Sequence, residues 1–278
     1  VPRQTIARAA ELRGTGLHTG AEVTLRLEPG QAGDGIIFRR RDLGGRPIPA
    51  CLGAVAATER RTALRAGAER VDTVEHVLGA VHAAGMDDLT IVLDGPEVPI
   101  LDGSFAAFVT LLEEAGRAET AGRRAQLRLD RPLEVRDGAA HYAIEPGDGL
   151  TIDLLLEYAE PVIGRQRTGW SVTPEVFARE IAPARTFGFL EEVAPLRERG
   201  LLAGATTDCA VVLSPVAVLN TTLRWPDEFA RHKLGDLIGD LALLGARLNL
   251  RLTAERPSHR GNLTCGRALA RVARIVEE

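Results

Sequence analysis

Residues 232–240 read His-Lys-Leu-Gly-Asp-Leu-Ile-Gly-Asp. At about 100° per residue in a helix, His232, Asp236 and Asp240 share a sector of roughly 80°. Leu234, Leu237, Ile238, Leu241 and Leu244 take the opposite side, so one face packs and the other carries a row of polar groups. An imidazole and a carboxylate one turn apart can reach a single ion, and an N/O donor set suits zinc. The plainer reading is a solvent-facing His–Asp pair, worth only tenths of a kcal/mol. Gly235 and Gly239 flank the row, and each costs about 1 kcal/mol in a helix relative to Ala. Two such glycines predict that something approaches this backbone closely.

A second polar pair, Glu75-His76, falls in the first turn of a predicted helix over 73–84, with Val74, Val77, Leu78 and Val81 at helical spacing. Asp72 is its expected N-cap and Gly85 its expected stop. Asp72-x-x-Glu75 also fits a capping box, and His76 could be an ordinary buried imidazole. Adjacent helical residues point about 100° apart, so one can hold an ion while the other reaches a water on it. A metal lowers the pKa of bound water and a neighbouring carboxylate takes the proton, as metal-assisted hydrolysis requires. His76, His232 and Asp236 together supply three ligands and leave a fourth position open, the pattern of catalytic zinc sites.

The elements that must position these groups come in two similar series. In the first half, strands are predicted over 21–28, 36–38 and 89–93, the helix over 73–84, and a second helix from Ser104 to about Gly116. Residues 117–125 (RAETAGRRA) are small and polar and read as a linker. Strands over 126–129, 141–144 and 151–156 follow, with a helix opened by Thr173-Pro174. Then come a β-like run over 185–190, a short charged helix ending at Gly200, a strand over 210–213, a long helix over 229–244, a strand over 248–253 and a final helix over 262–278. Strands and helices do not alternate one for one, so the expected class is α+β. The first run of glycines, Gly14-Thr15-Gly16-Leu17-His18-Thr19-Gly20, precedes the strand pattern AEVTLRLE. A dinucleotide loop needs a helix there, which argues against a Rossmann site.

Composition narrows the functional classes. A chain of 278 residues with 45% hydrophobic and 26% charged residues can build a core of one or two domains. The net charge of -4 offers no field for holding nucleic acid. Cys51, Cys209 and Cys265 are odd in number and contain no CxxC, so neither a disulfide framework nor a thiolate zinc site is expected. Neither a transmembrane segment nor a signal-peptide core is evident, and a cytoplasmic location follows as an expectation.

Several segments, in order along nearly the whole chain, resemble the UDP-3-O-acyl-N-acetylglucosamine deacetylases of lipid A biosynthesis. They are GTGLHTG, VDTVEHVLGAVHAAGMDDL, EVPILDGSFAAFV, VIGRQ, ARTFGFL and ARHKLGDLIGDL. The resemblance implies two domains, 1–120 and 126–278, each a helix layer on a roughly five-stranded sheet with the active site between them. It implies an inserted βαβ unit at about 190–212 whose apolar passage holds an acyl chain. The implied reaction removes acetate from UDP-3-O-(3-hydroxyacyl)-N-acetylglucosamine, a small-molecule substrate, by a monomer carrying Zn2+.

Residue by residue, the likeness makes His76, His232 and Asp236 the zinc ligands and Glu75 the general base. His259 matches the general acid, Asp240 the carboxylate that orients it, and Thr186 the hydroxyl that steadies the oxyanion. Lys233 resembles a residue that holds substrate, Phe187 lies in the cleft, and Leu201 and Leu202 line the acyl passage. His18 falls in the HTG turn, where a structural role is as well supported as a chemical one; His82 and His141 match no catalytic position. This chain departs from the family pattern at Ser258, where Gly commonly precedes the acid, at Glu160-Pro161, where His-Pro is usual, and at Ala205-Thr206-Thr207. The departures leave every ligand and acid–base group in place and bear on acyl preference. Two alternatives stand beside this: a zinc amidohydrolase of another acetamido sugar, and a metal-free nucleotide-sugar or acyl-binding protein.

Overall fold

Alternation along EVTLRLEP decides which way strand Glu22–Pro29 faces: Val23, Leu25 and Leu27 are buried, and the residues between them stay partly exposed. The computed structural model describes residues 1–277, and the chain is α+β. Glu22–Pro29 sits inside a five-stranded sheet ordered Ala10–Thr15, Glu22–Pro29, Leu89–Leu93, Ile36–Arg40, Pro47–Pro49. Only the contact of Ile36–Arg40 with Leu89–Leu93 is parallel. The Gly-rich run 14–20 leads into this sheet and opens no helix, as its context predicted.

A seven-stranded sheet, larger than the five strands expected, gathers the second half. Its central strand, Arg247–Glu255, pairs with Ala140–Pro146, Leu150–Glu157 and Ala125–Arg128. Leu248, Leu250, Leu252 and Ala254 alternate inward along it.

The helices are α1 (Glu75–Ala84), α2 (Ala106–Ala115), α3 (Pro174–Val176, continued as a π-turn to Ile181), α4 (Leu190–Glu198), α5 (Glu228–Leu241) and α6 (His259–Val272). None among the described residues is long and apolar enough to cross a membrane. Helix α2 touches the outer strand Ala10–Thr15, whereas α5 and α6 pack on the seven-stranded sheet. Helix α1 lies along α5, and that seam joins the two halves of the chain.

Several boundaries differ from expectation. Helix α1 begins at Glu75, because Thr73 adopts φ 60° and Asp72 is turned to Arg61 and Arg70 instead of capping. Helix α2 begins at Ala106, although Ser104 Oγ still accepts from the Ala106 N–H. The segment expected to be a linker forms strand Arg117–Arg123, antiparallel to Pro2–Ile6; a partner more than a hundred residues away supplies what its weak local pattern lacks. At the other end, Ser258 Oγ accepts from the Gly261 N–H, so α6 starts at His259. It stops at Val272, and Arg274–Glu277 becomes a strand on Ala125–Arg128; Glu278, included in the expected helix, lies outside the described residues.

Candidate active site

Close approach of α1 and α5 assembles the site. A Cβ on Gly239 would stand 2.0 Å from the Glu75 carbonyl oxygen, and one on Gly235 would stand 2.4 Å from the Phe105 ring. Both glycines are therefore explained by contact, as their cost in a helix predicted. The polar row of α5 does not face solvent: His232, Asp236 and Asp240 are all nearly fully buried, which removes the reading of a solvated helical pair.

His76 from α1 and His232 from α5 present their Nε2 atoms to one oxygen, Asp236 Oδ1, at 3.5 and 3.4 Å. These distances are too long for good hydrogen bonds, and Asp236 Oδ1 is a buried atom with no hydrogen-bond partner. A tetrahedral ion with ligands at about 2.0–2.1 Å would set those ligands roughly 3.3–3.4 Å apart. One ligand atom from each of the three residues falls within 4.8 Å of the others, so the trio could hold a metal. The donor chemistry fits as well. Burial pushes the His232 imidazole down to about 3, keeping it neutral. Its Nδ1 lies 3.1 Å from the Ala184 carbonyl, which fixes the proton there and leaves Nε2 bare. Burial opposes ionisation of Asp236, yet the Lys233 ammonium, 2.8 Å from Oδ2, holds its carboxyl well below the usual range.

Glu75 and His259 stand together beside this trio, with His259 Nε2 3.9 Å from Asp236 Oδ2. Glu75 Oε2 accepts from the Thr62 N–H at 3.0 Å, and Oε1 lies 3.8 Å from His259 Nε2. Burial raises the Glu75 pKa against the opposing charge of His259. His259 Nδ1 lies 2.9 Å from Asp240 Oδ2. Burial would lower its pKa, but Asp240 and then Glu75 outweigh that and raise it to about 9. Asp240 is wholly buried and saturated: Thr62 Oγ1 donates to Oδ1 at 2.5 Å, and Asn262 Nδ2 donates to Oδ2 at 2.8 Å. Tyr142 completes the chain by donating to Asn262 Oδ1 at 2.8 Å.

A cavity of about 420 Å³ joins these groups. Glu75, His76, Thr186, Phe187, His232, Lys233, Asp236 and His259 line it, together with Leu17, Tyr158 and Glu160. Thr186 and Phe187 lead into a parallel strand pair, Phe187–Phe189 with Val211–Leu213, connected through α4. The Phe187 ring lies 5.8 Å from Lys233 Nζ.

Leu201 and Leu202 do not line this cavity; they sit half-buried in the loop after α4. Leu17, not His18, faces it. His18 is buried nearby, its backbone N–H held by Glu97. His82 and His141 do not line it either. Thr62, Asn262 and Tyr142 were not singled out from the sequence. Asn262 did carry a signal, since it falls one turn after His259 on the same helix; Thr62 reaches Asp240 from 178 positions away and carried none.

Known proteins share this sequence over most of its length. The chain is 42% identical over 259 residues to a UDP-3-O-acyl-N-acetylglucosamine deacetylase of Anaeromyxobacter sp. (strain Fw109-5), covering 92% of this chain and 84% of that protein. It is 43% identical over 244 residues to the one from a Nitratiruptor species, covering 87% and 82%. Against that of Brucella melitensis biotype 2 it is 37% identical over 270 residues, covering 96% and 94%. A family model described as LpxC, UDP-3-O-acyl N-acetylglycosamine deacetylase, matches residues 3–271, and the chain belongs to that family.

Proposed function

We propose that this chain removes the N-acetyl group from UDP-3-O-(3-hydroxyacyl)-N-acetylglucosamine, releasing acetate, early in lipid A biosynthesis. One observation carries the reading: a buried trio of His76, His232 and Asp236 meets a carboxylate and a raised-pKa imidazole in a single cavity. His76, His232 and Asp236 would hold Zn2+, which supplies Lewis acidity to the acetamide carbonyl and acidifies a coordinated water.

The protein's own groups do the rest. Glu75, dry and anchored by the Thr62 N–H, takes the proton of the attacking water. The Thr186 hydroxyl donates to the oxyanion as it forms, stabilisation worth several kcal/mol in a water-poor site. His259, kept charged and oriented by Asp240, gives its Nε2 proton to the leaving amine. Lys233 and Phe187 hold the substrate at the cavity wall. The acyl chain runs toward 190–212, where Leu201 and Leu202 sit.

In this reading 1–120 and 126–278 are two domains with the site at their seam, and the protein works as a cytoplasmic monomer. Acetate release from the acylated UDP sugar, assayed with and without chelator, tests the proposal. Chelator-sensitive release supports it, and no release by the zinc-loaded chain overturns it.

A further inference from the structure

Beyond the active site, the C-terminal end of α1 meets three arginines contributed by distant parts of the chain. Arg117 Nη2 donates to the Ala84 carbonyl, Arg124 Nη2 to Gly85 O at 3.3 Å, and Arg247 Nη1 to His82 O at 2.5 Å. These same three residues, with His82, Gly85 and Asn249, line a cavity of about 250 Å³ that no carboxylate among the described residues lines. Arg247 Nη2 is a buried atom without a hydrogen-bond partner. It and Arg117 Nη1 stand 2.9 and 3.4 Å from where a Gly85 Cβ would be, so two cations face one spot.

Helix capping accounts for part of this. A helix C-terminus carries about half a negative charge. Asp87 adds one more, 3.0 Å from Arg124 Nε and 3.8 Å from Arg247 Nε. Against three guanidinium groups, about one and a half positive charges remain unmatched at close range, with Glu175 acting on Arg117 from farther away. Burial first, then Arg124 and Arg117, push the Arg247 guanidinium down to about 10 despite Asp87. An anion in the cavity would relieve that repulsion and give Nη2 its acceptor.

We propose that the cavity bounded by Arg117, Arg124 and Arg247 is a binding site for a phosphate-type oxyanion. A phosphate monoester carries about -1.5 to -2 at neutral pH, close to the uncompensated charge, and its several oxygens suit forks arriving from different directions. The group could come from a free phosphate or from an anionic lipid headgroup.

The zinc-loaded full chain is titrated at low ionic strength with inorganic phosphate, followed by 31P line broadening. In parallel it is floated with phosphatidic acid/phosphatidylcholine vesicles, whose anionic headgroup is a phosphate monoester, and with phosphatidylcholine alone. Arg117→Gln, at an exposed position, and Arg247→Gln should each weaken binding by roughly tenfold or more, the worth of a charge-assisted hydrogen bond. Turnover and melting of Arg117→Gln should match the parent, which separates a lost site from a lost fold. Weakened phosphate binding supports a soluble ligand, and weakened flotation on the anionic vesicles supports a headgroup. Binding of neither probe, or binding that Arg117→Gln leaves intact, overturns the site.

Discussion

Gly239→Ala should disable the site without altering any side chain that does chemistry. The added methyl would stand 2.0 Å from Glu75 O, 2.8 Å from Glu75 C and 3.1 Å from Glu75 Cα, all backbone atoms that no rotamer change can move. Ordinary contact begins near 3.4 Å, so α1 and α5 must separate by about 1.4 Å at this point. His76 rides on one helix, and His232 and Asp236 ride on the other. The ligand trio therefore opens by a distance of that order. Misplacement of about 1 Å can cost roughly 100-fold in rate. Overpacking costs about 1–3 kcal/mol, against which Ala regains roughly 1 kcal/mol of helix propensity, so the melting temperature should fall by only a few degrees. Gly79→Ala is the internal control. On the same helix pair its methyl would meet Gly235 O at 3.2 Å, which a few tenths of an ångström of give would absorb. The assay is metal content after dialysis together with kcat/KM on the acylated UDP sugar. Equal metal content and turnover in the two variants would refute the claim that the seam sets the site.

Three further outcomes follow from the same geometry. The rate should rise with pH as Glu75 ionises and fall as His259 loses its proton near 9; His259→Gln should abolish the alkaline limb, and Asp240→Asn, removing the largest upward influence on His259, should move that limb to lower pH. An unchanged alkaline limb in His259→Gln would exclude it as the acid and leave Glu75 to serve as both base and acid. His232→Ala should lose the bound ion on dialysis, checked by elemental analysis, while a metal-free binder would show no ion to lose. Thr62→Val leaves Asp240 Oδ1 without its donor in a dry site, so unfolding in denaturant should show a loss of about 1–3 kcal/mol.

How the fold was written in the sequence depends on where each element finds its partner. Strands such as Glu22–Pro29 and Leu89–Leu93 announce themselves, because one face is buried and alternation follows. Arg117–Arg123 has no such face; most of its residues are exposed, and it is a strand only because Pro2–Ile6 lies beside it. The final residues fail as a helix for a related reason. Helical spacing continues past Val272, but Arg274–Glu277 gains a hydrogen-bonded edge on Ala125–Arg128 that another helical turn would not have.

The site shows the same division between local and distant information. His232, Asp236, Gly235 and Gly239 encode their roles in one helix, since a polar row and two costly glycines have no local purpose there. Spacing alone could not say that the row is buried, because burial comes from α1 packing over it. Nor could it show that Asp240 is fully hydrogen-bonded, with Thr62, His259 and Asn262 converging from two other segments. That saturation gives Asp240 its function. Three donors, one of them a positioned imidazole, compensate a wholly buried carboxylate, which in turn is the largest influence raising the His259 pKa beside Glu75. Acid and base thus stand 3.8 Å apart, with the imidazole oriented and its pKa raised by Asp240.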